Sequence, residues 1–143
     1  MLETSAIDFL QDLDFNDNVY FYHVTEKGIG EKILENGLLM ADSHYWSTII
    51  ELTPEMIADP YKFLADENGH NIRKTEEMIL IGCDKEDVNY LVTKNTFNTN
   101  NWNFEENPNY VILKDFIIGY IDLTDMEYPL ILNPDYSHNI GRF

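Results

Sequence analysis

The chain has 143 residues, 44% of them hydrophobic and 13% aromatic, which suits one domain with a packed core and excludes compositional disorder. Its 26 acidic residues against 9 basic ones give a net charge of −17, a field that repels nucleic acid and anionic membrane and attracts basic surfaces. The single cysteine, Cys83, excludes an internal disulfide and any multi-cysteine metal site.

No apolar run approaches the ~20 residues of a membrane span. The opening MLETSAIDFLQDLDF has neither the basic segment nor the apolar core of a secretion signal, so a cytoplasmic location is expected. No Gly/Ser-rich or Pro-rich linker and no internal repeat divides the sequence, and residues 1–143 are expected to form a single domain.

The first predicted element is a helix whose face carries Ile7, Leu10 and Leu13, with Thr4 or Ser5 as N-cap. NVYFYHV, residues 18–24, is β-branched and aromatic and predicts a buried strand. EKGIGEKILENG then places Ile29, Ile33 and Leu34 on one helix face and ends on Asn36-Gly37, a left-handed stop. Gly28 and Gly30 weaken its first turn, so this helix is expected to start late.

WSTIIEL, residues 46–52, predicts a strand. The Thr53-Pro54 and Asp59-Pro60 pairs that follow each have the pattern of a cap before a proline, so residues 53–69 predict one helix or two short ones. EMILIGC, residues 77–83, predicts a central strand with an inert buried thiol, and residues 84–92 one or two helical turns. Residues 95–109 are asparagine-rich and aperiodic and predict a long loop, a place where function often sits. YVILKDFIIGYIDL, residues 110–123, predicts two strands hinged at Lys114-Asp115, and the tail NPDYSHNIGRF, residues 133–143, is loop-like. Strands follow one another by short, irregular connections without a strand–helix–strand rhythm, so an α+β fold with a mixed or antiparallel sheet is expected.

The stock chemistries find little footing. GIG at 28–30 lacks the spacing of a nucleotide-binding glycine fingerprint. The four histidines, His23, His44, His70 and His138, are too scattered for a zinc site, and no metal is expected. No nucleophile elbow is present. DENGH at 66–70 lacks calcium-loop spacing.

A strand ending Tyr22-His23-Val24-Thr25, a helix running into Ile33-Leu34-Glu35-Asn36-Gly37-Leu38, and a late NYVILKDFIIGYID resemble the ADP-ribosyltransferase superfamily. That group includes diphtheria-toxin-like toxins, poly(ADP-ribose) polymerases and RNA 2′-phosphotransferases. The resemblance covers residues 19–40 and 108–123 and the order of elements between them. It implies a split sheet with short helices, NAD as bound substrate, and transfer of ADP-ribose to an acceptor. By resemblance His23 hydrogen-bonds ribose hydroxyls and Thr25 supports it. Tyr45 of SHYWST stacks on the nicotinamide, with Trp46 second and His44 third. The family glutamate, which stabilises the positive ribose, aligns best with Asn109, an amide that cannot supply a full charge. Glu106, three residues earlier, is the substitute. Val24 stands where many members have glycine, keeping the backbone groups that bind the nicotinamide amide but adding stiffness.

Each of these residues also has a simpler reading. His23 can be a satisfied core histidine and Thr25 a helix cap or turn residue. Tyr45 and Trp46 can be core aromatics, Glu106 a solvated loop acid and Asn109 the first residue of a strand. The charge of −17 without a concentrated catalytic motif also fits a non-catalytic acidic interaction or inhibitor protein, built on a degenerate transferase fold or not, that binds a basic partner.

Overall fold

The computed structural model describes residues 2–39, 49–68, 75–90, 111–112 and 114–136. Its centre is a six-stranded antiparallel sheet. The strands are β1 (Glu3–Ser5), β2 (Asn18–Thr25), β4 (Ile50–Glu51), β5 (Glu77–Asp84), β7 (Ile117–Asp122) and β8 (Pro129–Leu132), in the order β1-β8-β7-β5-β2-β4. A separate two-stranded ribbon pairs β3 (Leu38–Leu39) with β6 (Val111–Ile112). The helices are α1 (Ala6–Gln11), α2 (Ile29–Asn36) and α3 (Pro60–Glu67). The fold is therefore α+β with an open antiparallel sheet and few helices.

The sheet is buried on both faces. One carries Tyr20, Tyr22, Met78, Leu80 and Ile118 and packs against α1 and α3 through Ile7, Leu10, Phe63 and Leu64. The other carries Phe21, Ile79, Ile81, Cys83 and Ile117 and packs against α2 through Ile33 and Leu34. β5 sits between β2 and β7, which accounts for its run of seven buried residues. The β5–β7 register shifts between Leu80 and Ile81, skipping Ile118, so Ile117 is returned to the face of its partner Ile81.

Local chemistry sets the helix ends. The Ser5 hydroxyl accepts from Asp8 N–H at 3.3 Å and caps α1. Asp59 caps α3, accepting from Lys62 N–H at 3.2 Å, and Pro60 takes the first helical position. Residues 54–57 form a turn instead of a first helix, so the second of the two cap-then-proline signals opens the one helix here. Helix α2 begins only at Ile29, after Gly28 with φ 93°, and stops at Gly37 with φ 83°. Thr25 is not its cap. Gly28 holds the N-cap position and makes no side-chain cap bond.

Residues 85–90 form a 3-10 helix, and Lys114–Phe116 forms a 3-10 turn at the expected hinge before β7. β8 was not anticipated from the sequence; its four residues hold β1 onto the sheet. Among the described residues, no helix is long and apolar enough to cross a membrane.

Candidate functional site

His23 and Thr25 lie two residues apart on β2 and so project from the same sheet face, the one α2 packs on. Across the ladder His23 faces Ile79 of β5, and Thr25 faces Glu77. One strand further, Ile79 faces Tyr120 and Glu77 faces Asp122. The C-terminal end of β2, the start of β5 and the end of β7 thus gather polar side chains at one end of an otherwise apolar sheet.

Glu77 organises this end. It is 4% exposed, and its two carboxylate oxygens accept from Gly28 N–H at 3.1 Å and Gly30 N–H at 2.7 Å. The first amides of a helix have no partner within it, and its N-terminus is electropositive, so a carboxylate here satisfies both requirements. Gly30 allows the approach. A Cβ at this position would lie 2.6 Å from Tyr120 Cγ and 2.8 Å from Glu77 Oε1. Burial pushes the Tyr120 hydroxyl pKa up, and the nearby carboxylates of Glu77, Glu31 and Asp122 push it further. Tyr120 therefore keeps its hydroxyl proton at neutral pH.

Outside this pair a second network closes the strand ends. The Lys27 ammonium meets Asp122 at 3.2 Å and Thr124 Oγ1 at 2.9 Å, and Lys27 N–H donates to Glu76 Oε1 at 3.2 Å. Burial raises the pKa of Asp122, but the Thr124 hydroxyl and amide, then Lys27, outweigh it and leave the pKa lowered.

His23 itself is 8% exposed. Backbone bonds alternate in direction along β2. The Thr25 carbonyl accepts from Glu76 N–H, on the β5 side, and the Tyr20 carbonyl accepts from Leu52 N–H, on the β4 side, each at 2.9 Å. Val24 is in phase with Tyr20 and so turns its own N–H and C=O toward the β4 side. Described pairing with β4 ends at Tyr22–Ile50, one pleat before Val24.

Tyr45, Trp46, Glu106 and Asn109 lie outside the described residues, as do His44, His70 and His138. The structure therefore brings His23 and Thr25 together, and adds two side chains that sequence reasoning passed over, Glu77 and Tyr120. The one sequence signal for Glu77 was a carboxylate heading the apolar run EMILIGC, opposite a glycine-rich helix start. Among the described residues no group of three or more His, Cys, Asp or Glu could hold a metal ion. Cys83 is fully buried, and burial, aided by Asp87 and Asp84, pushes its thiol up to about 12, which removes it from nucleophilic chemistry at neutral pH.

A cavity of about 690 Å³ lies elsewhere, between α2, the end of β8 and the turn at 133–136; His23 does not line it. No protein-family model, no curated protein and no solved structure matches this chain.

Proposed function

We propose that the chain is an ADP-ribosyltransferase-like domain that binds NAD, or an ADP-ribose-type ligand, at the C-terminal end of β2. The observation that carries the reading is the division of labour at residues 23–25. His23 and Thr25 project from one face, and the Val24 peptide groups turn to the β4 side of the strand. This arrangement matches the roles the sequence resemblance assigns to these positions, side-chain hydrogen bonds to a ribose from one face and backbone contact with an amide from Val24.

The helix N-terminus takes no part in holding the dinucleotide. Its Gly28 and Gly30 amides already donate to Glu77, so a pyrophosphate would have to displace that carboxylate to use them. In the transfer this binding would serve, the bond from ribose C1′ to nicotinamide breaks and its electron pair leaves with nicotinamide. An acceptor nucleophile then bonds to C1′ and loses its proton. A carboxylate beside the positive ribose lowers that barrier. Glu106 is the candidate for this role, since Asn109 carries no charge.

The test is calorimetry with NAD on the wild type and on His23→Ala, with thermal unfolding as the check that the variant folds. Saturable binding lost in a folded His23→Ala supports the reading, and Glu106→Gln then asks about turnover. No heat at millimolar NAD, or binding indifferent to His23→Ala, overturns it.

A further inference from the structure

The cavity beside α2 has an apolar interior and an acidic rim. Leu34 and Leu132 line it from the core, Tyr136 closes one end, and Leu2 stands at its lip, 63% exposed. Four charged residues surround them. Lys114 and Asp135 neutralise one another across 3.2 Å. Glu31 and Glu35 remain, both exposed, and neither forms an ion pair among the described residues. They are four residues apart on α2 and so stand on one side of the helix, about 6 Å from each other, where like charges disfavour the helix they sit on.

We propose that this groove is a docking site for an amphipathic, basic segment of a protein partner. Its apolar side chains would enter between Leu34, Leu2 and Tyr136, and two Lys or Arg one helical turn apart would meet Glu31 and Glu35. Three observations select this occupant. The rim charges without an ion-pair partner among the described residues are both negative, so the complement is cationic. Their one-turn spacing matches cations at i and i+4 of a helix. The net charge of −17 steers basic surfaces in and opposes a second copy of the same chain. The inference stands apart from the NAD reading, because the groove shares no lining residue with the end of β2.

The experiment is amide NMR titration of the whole chain with synthetic helical peptides. One is a Leu/Lys amphipathic peptide. One keeps the charge but replaces Leu by Ser. One keeps the Leu pattern but replaces Lys by Glu. The expected result is saturable shifts for the Leu/Lys peptide centred on Leu2, Leu34 and Tyr136, weakening with ionic strength. In Glu31→Gln/Glu35→Gln affinity falls about tenfold, the effect of two exposed charge pairs. In Glu55→Gln/Glu127→Gln, which changes net charge equally at exposed positions away from the groove, it stays within about twofold. Equal binding of the Ser/Lys peptide would reduce the effect to the field of the whole chain and overturn the proposal. So would equal binding of the Leu/Glu peptide, an unaffected groove variant, or no saturable binding at millimolar peptide. Spermine bound with the same dependence on Glu31 and Glu35 would make the occupant a small polycation and overturn the peptide reading. The glutamines replace exposed carboxylates, so the variant folds, and relief of the like-charge pair opposes the loss of the first-turn charge of Glu31.

Discussion

One helix carries two opposite arrangements of charge. At the N-terminus of α2 a buried carboxylate, Glu77, meets two backbone amides, and Gly30 leaves no room for anything further. Along its flank toward β8 two exposed carboxylates, Glu31 and Glu35, meet no described cation and border an apolar cavity. The first is a saturated arrangement. Two of its amides and both oxygens of Glu77 are satisfied by one another, which stabilises the fold and leaves neither group for a ligand. The second has no described partner for its charges and borders apolar surface. The contrast shows why a positively polarised helix start is not by itself an anion site. What matters is whether the chain already supplies the anion.

The largest effect should come from emptying the saturated end. Glu77→Ala leaves two amide donors without their acceptor at a buried site, and each such loss costs about 1–3 kcal/mol. A destabilisation of about 3 kcal/mol in urea unfolding is expected. A cost under about 1 kcal/mol would mean that the amides find other partners and that the end is not saturated in the sense argued here. Glu77→Gln keeps an acceptor oxygen and should cost less than Glu77→Ala, which separates the hydrogen bonds from the volume.

Gly30→Ala comes next, at about 2 kcal/mol, an overpacking cost. The new Cβ meets Tyr120 at the ring root, not at the end of a mobile chain, and meets the carboxylate it would displace. An unchanged midpoint would show that Tyr120 yields freely, and the close approach of α2 to β7 would then not limit the site.

The smallest effect concerns the outer network and its pH dependence. Asp122 has a folded pKa below its ordinary 3.8, because Thr124 and Lys27 favour its charged form over the opposing effect of burial. The stability it contributes is therefore fully present above pH 3.8 and is lost as pH falls through the lowered folded value. Asp122→Asn lacks this component. The gap in unfolding free energy between wild type and Asp122→Asn should be constant near neutrality and narrow below about pH 4. A gap that widens on acidification would show that the carboxylate is held in its neutral form, contrary to the network described.

Much of this was legible one segment at a time. The aromatic β-branched run at 18–24 became β2, and the apolar run from 77 became the strand at the centre of the sheet. Gly28 and Gly37, both at positive φ, bounded α2, whereas Gly30 lies inside its first turn, and Asp59-Pro60 opened α3. Where two signals of equal form competed, as at Thr53-Pro54 and Asp59-Pro60, sequence alone did not choose between one helix and two. The apolar face that continues, through Phe63 and Leu64 against the core, belongs to the second. β8 escaped notice because four residues, PLIL, carry too short a pattern. Its place is fixed by ladders to β7 and β1 at opposite ends of the chain.

The sequence by itself determined the properties that act over a few residues or over all of them. These are strand and helix preference, caps, stops, the inert Cys83, and a net charge that favours basic partners. The position of His23 before Thr25 is among them, because the two-residue period of a strand puts both on one face wherever the strand lies. Tertiary structure alone decided the rest. Glu77 and the amides it caps are 47 and 49 residues apart, so their bond exists only once β5 lies beside β2 and α2 folds back over it. The groove joins α2 to Leu2, Lys114 and residues 132–136, segments from both ends of the chain whose chemistry becomes a site only through their packing. Local propensity is a short-range free energy, whereas burial, capping at a distance and unpaired charge depend on which surfaces meet.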